Sequence, residues 1–349
     1  MSILKRTLDL VERGRSGIIQ SVPTRIPKFD EFIDGTTQGI MYLYGAETTV
    51  GKTAWVRDKH VHTVYEEFKR INDPSKLDVL FVDFSLEMSP TINMGSAITR
   101  KFFFDYGKII PVKEVFKNLS DENNLILQQT IAPYLEEFEK KSLVFDEDIT
   151  PNKYHDILLT IARANGTFSK EGRWISECGD YTPNNPNLYV IVVVDTVNLA
   201  EVDSGHDTVK STIDRISRLS VWFRNKCKFT PIIIQQFNAE ISAVDRSRYG
   251  IKTPLLRDFE DSKRPVKDAD VVVGLYDPSR HMKEEETVFR GYDISQLRSW
   301  FRSAHVMKNR YGQNNKFIPL KFDGAVGVFT QMPDAKDMTQ EQYTLATRH

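Results

Sequence analysis

Six short apolar runs punctuate the chain: IMYLY (40–44), DVLFVDF (78–84), SLVF (142–145), LYVIVVV (188–194), TPIII (230–234) and DVVVGLY (270–276). They are rich in β-branched residues and barely alternate with polar ones, the pattern of strands buried on both faces. Between them, 53–70, 152–164 and 209–226 carry apolar residues at helical spacing. This succession predicts an α/β fold, a mostly parallel central sheet flanked by helices. Further along, AHVMKNRYGQNNKFIPLKF (304–322) reads as two strands around a polar turn, closed by VGVF (326–329). An antiparallel hairpin at the sheet edge is expected there.

The ends depart from this regularity. Ile3, Leu4, Leu8 and Val11 lie near helical spacing with Gly14 as a stop, so an amphipathic helix is expected ahead of the main domain. Residues 16–39 are turn-rich and lead into the core. Residues 166–187, rich in Gly, Asn and Pro, read as a surface insertion, and the polar segment after Met332 as a loosely held tail. The expected division is a helix for subunit packing (1–15), one ATPase domain (16–332) and a tail (333–349).

Composition narrows the partners. A chain of 349 residues, 40% apolar, can build a large core. Its net charge of −1 provides no global attraction to nucleic acid, so any such contact must come from a local basic patch. Cys178 and Cys227 cannot form a disulfide framework or a four-cysteine zinc site, which fits a reducing cytoplasm. No apolar run approaches the ~20 residues that span a bilayer, so no membrane association is expected.

The segment GAETTVGKT (45–53) follows a strand and opens a helix, the context of a phosphate loop. Ala46, Glu47, Thr48, Thr49, Val50, Gly51, Lys52, Thr53 and Ala54 are then the nucleotide-binding residues. The amides of such a loop point at phosphate oxygens, Lys52 reaches the β- and γ-phosphates, and the Thr53 hydroxyl ligates Mg²⁺. The usual first glycine of the loop falls on Ala46, with Gly45 one residue early. Asp195 ends a buried strand on the edge where α/β sheets bind ligands, placing a carboxylate for the same metal. In FVDFSLEMS (81–89), Glu87 lies just past a strand and can orient the attacking water, with Asp83 as competitor inside the strand. Gln235 and Gln236 end another strand, where an amide can sense the γ-phosphate.

The succession GAETTVGKT, FVDFSLEMS, VIVVVDTVNL, IIIQQFN, LLRDFEDSKRPVKDADVVVGLY and VMKNRYGQNNKFIPLKFDG resembles the RecA-like ATPase domain of DnaB-type replicative helicases, phage members included. FSLEMS is its most specific part. The resemblance runs over about residues 1–332 and fails across 166–187 and the tail. It implies Glu87 as catalytic glutamate, Asp195 as the metal-associated aspartate and Gln236 as sensor. It implies Arg310 as an arginine finger reaching the neighbouring subunit's ATP, with Lys308 beside it. The family's interface arginine falls on Ser96, one turn before Arg100, and two positions of its DNA loop fall on Glu260 and Lys263. Lys263, Arg264 and Lys267 remain as DNA-phosphate contacts. The family's separate N-terminal domain has no counterpart in this reading, whereas residues 2–13 correspond to its linker helix.

The resemblance implies a P-loop ATPase that uses ATP and Mg²⁺ in a homo-oligomeric, hexameric ring, moves 5′ to 3′ along single-stranded DNA and unwinds duplex. A primase or loader protein is a candidate partner, in the host cytoplasm if the chain is phage-encoded. The alternative is a RecA-like ATPase that binds DNA or scaffolds partners without unwinding.

Overall fold

A computed structural model of the chain describes residues 14–203, 208–238, 253–259, 261–282 and 287–347, together with Leu4, Leu8, Val11 and Glu12. Nine strands, numbered here along the central sheet, are β1 (Tyr42–Ala46), β2 (Asp78–Ser85), β3 (Ser142–Phe145), β4 (Leu188–Asp195), β5 (Thr230–Gln236), β6 (Val271–Tyr276), β7 (Phe301–Asn309), β8 (Lys316–Asp323) and β9 (Val328–Gln331). Their order is β9-β8-β7-β6-β1-β5-β4-β2-β3. From β6 to β3 every pairing is parallel. From β6 to β9 every pairing is antiparallel, so the expected edge hairpin is part of a meander.

The apolar runs form the parallel strands because both faces of the sheet are covered. In β4 seven of eight residues are buried. Period two still sorts its side chains: Val190, Val192 and Val194 join the core with Leu158, Ile216 and Phe223 from the helices Pro151–Ala164 and Val209–Cys227. Tyr189, Ile191 and Val193 join the opposite core with Trp55, Val64 and Tyr65. Each such fully buried side chain contributes ~1.5–3 kcal/mol of hydrophobic stabilisation. Helices inserted between β2 and β3, among them Pro90–Tyr106 and Ala132–Glu139, enclose a third core around Phe102, Ile131 and Leu135.

The insertion at 166–187 forms a two-stranded ribbon, Gly166–Phe168 with Tyr181–Pro183. It is pinned to the main domain: Ile175 is fully buried and its amide donates to His155 Nε2 at 3.0 Å. The expectation of a loose tail is corrected. Thr339 caps a helix at Gln340–Ala346, and Tyr343 Oη accepts the Asp293 amide at 3.0 Å. A tail with few apolar residues still docks when its backbone and hydroxyls find partners. At the other end Leu4, Leu8, Val11 and Glu12 are helical, and the helix continues through Gly14 and Arg15 to a turn at Gly17 (φ 74°), three residues beyond the expected stop. Leu4, Leu8 and Val11 are 68%, 57% and 56% exposed, so this apolar stripe has no place in its own chain's core. Ile3 lies outside the described residues.

Candidate nucleotide site

Parallel strands bring their C-terminal ends to one edge, and the register places Ala46 beside Gln236 and Ser85 beside Asp195. At the end of β1 the chain turns through residues 47–51 into the helix Lys52–Val56, which continues through a π-helical stretch (Arg57–His62) into the helix Thr63–Ile71. Gly51 adopts φ 106°, and a Cβ there would lie 2.8 Å from Phe329 Cζ, so only glycine fits. Gly45 is required for packing: its Cβ would lie 2.3 Å from Phe237 and 2.5 Å from Phe259. That contact explains a glycine one residue before the loop and an alanine at its first position.

Lys52 is buried at the mouth of the loop, its Nζ donating to Glu47 O at 3.3 Å. Burial pushes its pKa below the usual lysine value, while the nearby Glu87 and Asp195 carboxylates oppose the shift. Thr53 Oγ1 donates to Asp195 Oδ1 at 3.2 Å. The other oxygen, Asp195 Oδ2, is buried with no hydrogen-bond partner, and burial lifts the carboxyl from the ordinary 3.8 to about 6. A carboxylate held this way fits a divalent cation, which would supply the missing positive charge. Among the described residues no cluster of three or more His, Cys, Asp or Glu could hold a metal alone, so phosphate and water oxygens would have to complete the shell.

Glu87 stands exposed beyond the end of β2, its amide and that of Leu86 donating to Asp195 O at 3.1 and 2.7 Å. Its loop is fixed from below: Ser85 Oγ donates to Met88 O at 2.6 Å and accepts from Asn93 Nδ2 at 2.7 Å. Asp83, the competing carboxylate, is buried in an ion pair with Arg57 at 2.8 Å and faces the core side of the strand. The two glutamines also separate. Gln235 is fully buried and donates to Ser262 O at 3.0 Å, while Gln236 is half-buried at the strand end. A cavity of about 300 Å³ opens over these groups, lined by Thr49, Lys52, Thr53, Arg57 and Glu87 and closed by Gly327.

The remaining sequence-predicted residues lie elsewhere. Lys308 Nζ donates to the carbonyls of Val266, Lys267 and Ala269 at 2.8, 2.9 and 2.7 Å, capping the end of the helix Arg264–Asp268. Arg310 is exposed and bonds Asp270 Oδ1 at 3.1 Å and Lys267 O at 2.9 Å. Both sit at the N-terminal end of β6, whereas its C-terminal end adjoins the phosphate loop. Six residues at ~3.3 Å each put ~20 Å between them and the ATP edge of their own chain. Lys263 and Lys267 are exposed, with Lys263 Nζ donating to Arg257 O, and Arg264 pairs with Asp268 at 2.7 Å. Glu260 lies outside the described residues. Ser96 bonds only its own helix, at Ile92 O. Arg100 is buried against Asp58 (2.6 Å) and Glu66 (2.5 Å), so it does not stand in for the family's interface arginine.

Sequence reasoning missed a group on the outer side of the loop. Arg280, His281 and Arg302 reach Thr48, Glu47 and Val50 from the antiparallel half of the sheet. These residues are more than two hundred positions from the loop in sequence, and no local pattern marks them.

No protein-family model matches the chain, and no curated protein matches it. Solved structures do. One, an ATPase domain solved by itself, aligns over 95% of this chain and 99% of its own, with a TM-score of 0.68 at 19% identity. A DnaB-like replicative helicase, described with its interactions with primase, aligns over 95% of this chain and 67% of its own, with a TM-score of 0.64 at 18% identity. The nine-stranded sheet of the present chain, with its carboxylates and lysine gathered at one edge, thus has the RecA-like fold of the DnaB-type helicase ATPase domains.

Proposed function

We propose that the chain is the ATP-hydrolysing motor of a ring helicase that moves along single-stranded DNA and unwinds duplex. The carrying observation is the division of the site between two sheet edges. Lys52, Thr53, Asp195 and Glu87 meet at the C-terminal edge, and Arg310 with Lys308 stands ~20 Å away at the other. In this reading Lys52 and the loop amides bind the ATP phosphates, and Thr53 and Asp195 hold Mg²⁺, which neutralises phosphate charge when bound. Glu87 orients water against the γ-phosphate and takes its proton as the bond to the leaving diphosphate breaks. Gln236 reports whether the γ-phosphate is present. Arg310 is too far to serve its own nucleotide and completes the site of a neighbouring subunit, where a cation can raise turnover ~10³-fold or more. The exposed Leu4, Leu8 and Val11 stripe supports the same assembly, since it needs a neighbour to cover it. Lys263, Arg264 and Lys267 would contact DNA phosphates.

Mixing two inactive variants tests the ring. Arg310→Ala keeps its pocket and lacks the finger; Lys52→Ala lacks the pocket and keeps the finger. Mixed before assembly, they create interfaces where pocket and finger are both intact, so part of the ATPase rate should return. Only the sum of the two residual rates, with subunit exchange demonstrated, would reject the assignment in trans. Strand displacement on forked DNA separates unwinding from an ATPase that binds DNA without opening it. The resemblance of the fold to a helicase studied with primase makes a primase a partner to assay next.

A further inference from the structure

Thr49 occupies the left-handed region of backbone space at φ 61°. For a β-branched residue this is a strained conformation, and such strain persists only where surrounding groups hold it. The loop's own hydrogen bonds do not explain it, since Lys52 Nζ goes to Glu47 O. The holding groups come from the segment after β6. Arg280 Nη1 donates to Thr48 O at 2.7 Å, and its Nη2 donates to Thr49 Oγ1. One planar guanidinium thus spans both sides of the strained residue, as a lysine could not. Arg280 is aimed by Asp277, whose Oδ2 pairs with Arg280 Nε at 3.3 Å and with Arg302 Nη1 at 2.9 Å. Asp277 is itself buried and tied through Oδ1 to Ser279.

We propose that Arg280 is a positioning residue of the nucleotide site, one that holds the phosphate loop in its left-handed turn at Thr49 so that the loop is ready for phosphate before ATP arrives. The proposal rests on the phosphate-loop reading above. Its reach is limited to binding: a loop that must reorganise on each encounter binds substrate and transition state less tightly by the same amount, so KM should rise more than kcat falls.

The test is a double-mutant cycle on the full chain, read by the Kd of a fluorescent ATP analogue and by KM and kcat for ATP. Arg280→Ala should weaken binding about tenfold, the scale of one charge-assisted hydrogen bond. Arg280→Lys should recover part of it, and circular dichroism should report the fold of each. Glycine adopts a positive φ without strain, so in a Thr49→Gly background the same Arg280→Ala change should cost no more than about threefold. Binding by Arg280→Ala within twofold of the parent overturns the proposal. So does an undiminished tenfold loss in the Thr49→Gly background, which would make Arg280 a direct phosphate contact. Lys52→Ala separates the two levels: if it binds the analogue as the parent does, the phosphate-loop reading falls and the proposal with it. If Lys52→Ala loses binding while Arg280→Ala keeps it, the proposal alone falls.

Discussion

Asp195 joins function and stability in opposite directions, and Asp195→Asn separates them. In the nucleotide-free protein the carboxyl is 1% exposed, with one oxygen bonded by Thr53 and the other without a partner. Burial, opposed by the Arg57 charge, raises its pKa from 3.8 to about 6. A raised acid leaves the folded protein holding a proton that the unfolded chain releases between those values. Stability is therefore full below pH 3.8 and declines as pH rises through about 6. At ~1.4 kcal/mol per pH unit, the interval corresponds to ~3 kcal/mol at neutral pH. Asparagine keeps the acceptor for Thr53 and never ionises, although its buried amide finds no better partner than the oxygen it replaces. The variant should be more stable than the parent by ~1–3 kcal/mol at pH 7.5 in urea unfolding without nucleotide, and nearly equal to it at pH 3.5. With Mg²⁺ and ATP the order should reverse, because ligand binding stabilises only the form that binds. A variant less stable than the parent at pH 7.5 without nucleotide, or a difference independent of pH, would refute the reasoning.

Three further outcomes follow from the same geometry. Glu87→Gln should bind ATP as the parent does and hydrolyse it ~10²-fold or more slowly in single-turnover assays; turnover near the parent rate would remove Glu87 as the base, and Asp83, locked to Arg57, could not replace it. Gly45→Ala should lower stability by ~1–3 kcal/mol in thermal or urea unfolding, since its Cβ would collide with Phe237 and Phe259 inside the core. Changing Lys263 and Arg264 to Ala should weaken single-stranded DNA binding irrespective of sequence and reduce the salt slope by ~1 for each phosphate no longer neutralised; unchanged affinity and slope would place the DNA path elsewhere.

Much of the site was legible in the chain because it is encoded locally. The phosphate loop occupies consecutive residues between a strand and a helix, so Lys52 and Thr53 could be assigned before any fold was known. Asp195 was legible for a related reason: a continuous apolar run covered on both faces must end where the sheet meets solvent, and in a parallel sheet that edge binds ligands. Local pattern could not choose between Gln235 and Gln236 or between Asp83 and Glu87. Those choices depend on which face of the sheet each side chain meets and on partners such as Ser262 and Arg57, which arrive from other elements. It could not foresee that Arg100 would be captured by Asp58 and Glu66, 42 and 34 residues away. Nor could it place Arg280 on Thr48 across 232 residues. Periodicity specifies which residues are buried in a strand or helix, but strand order and register decide which distant side chains become neighbours. For this chain the tertiary structure alone set Arg280 against the loop and sent Arg310 to the far edge of the sheet.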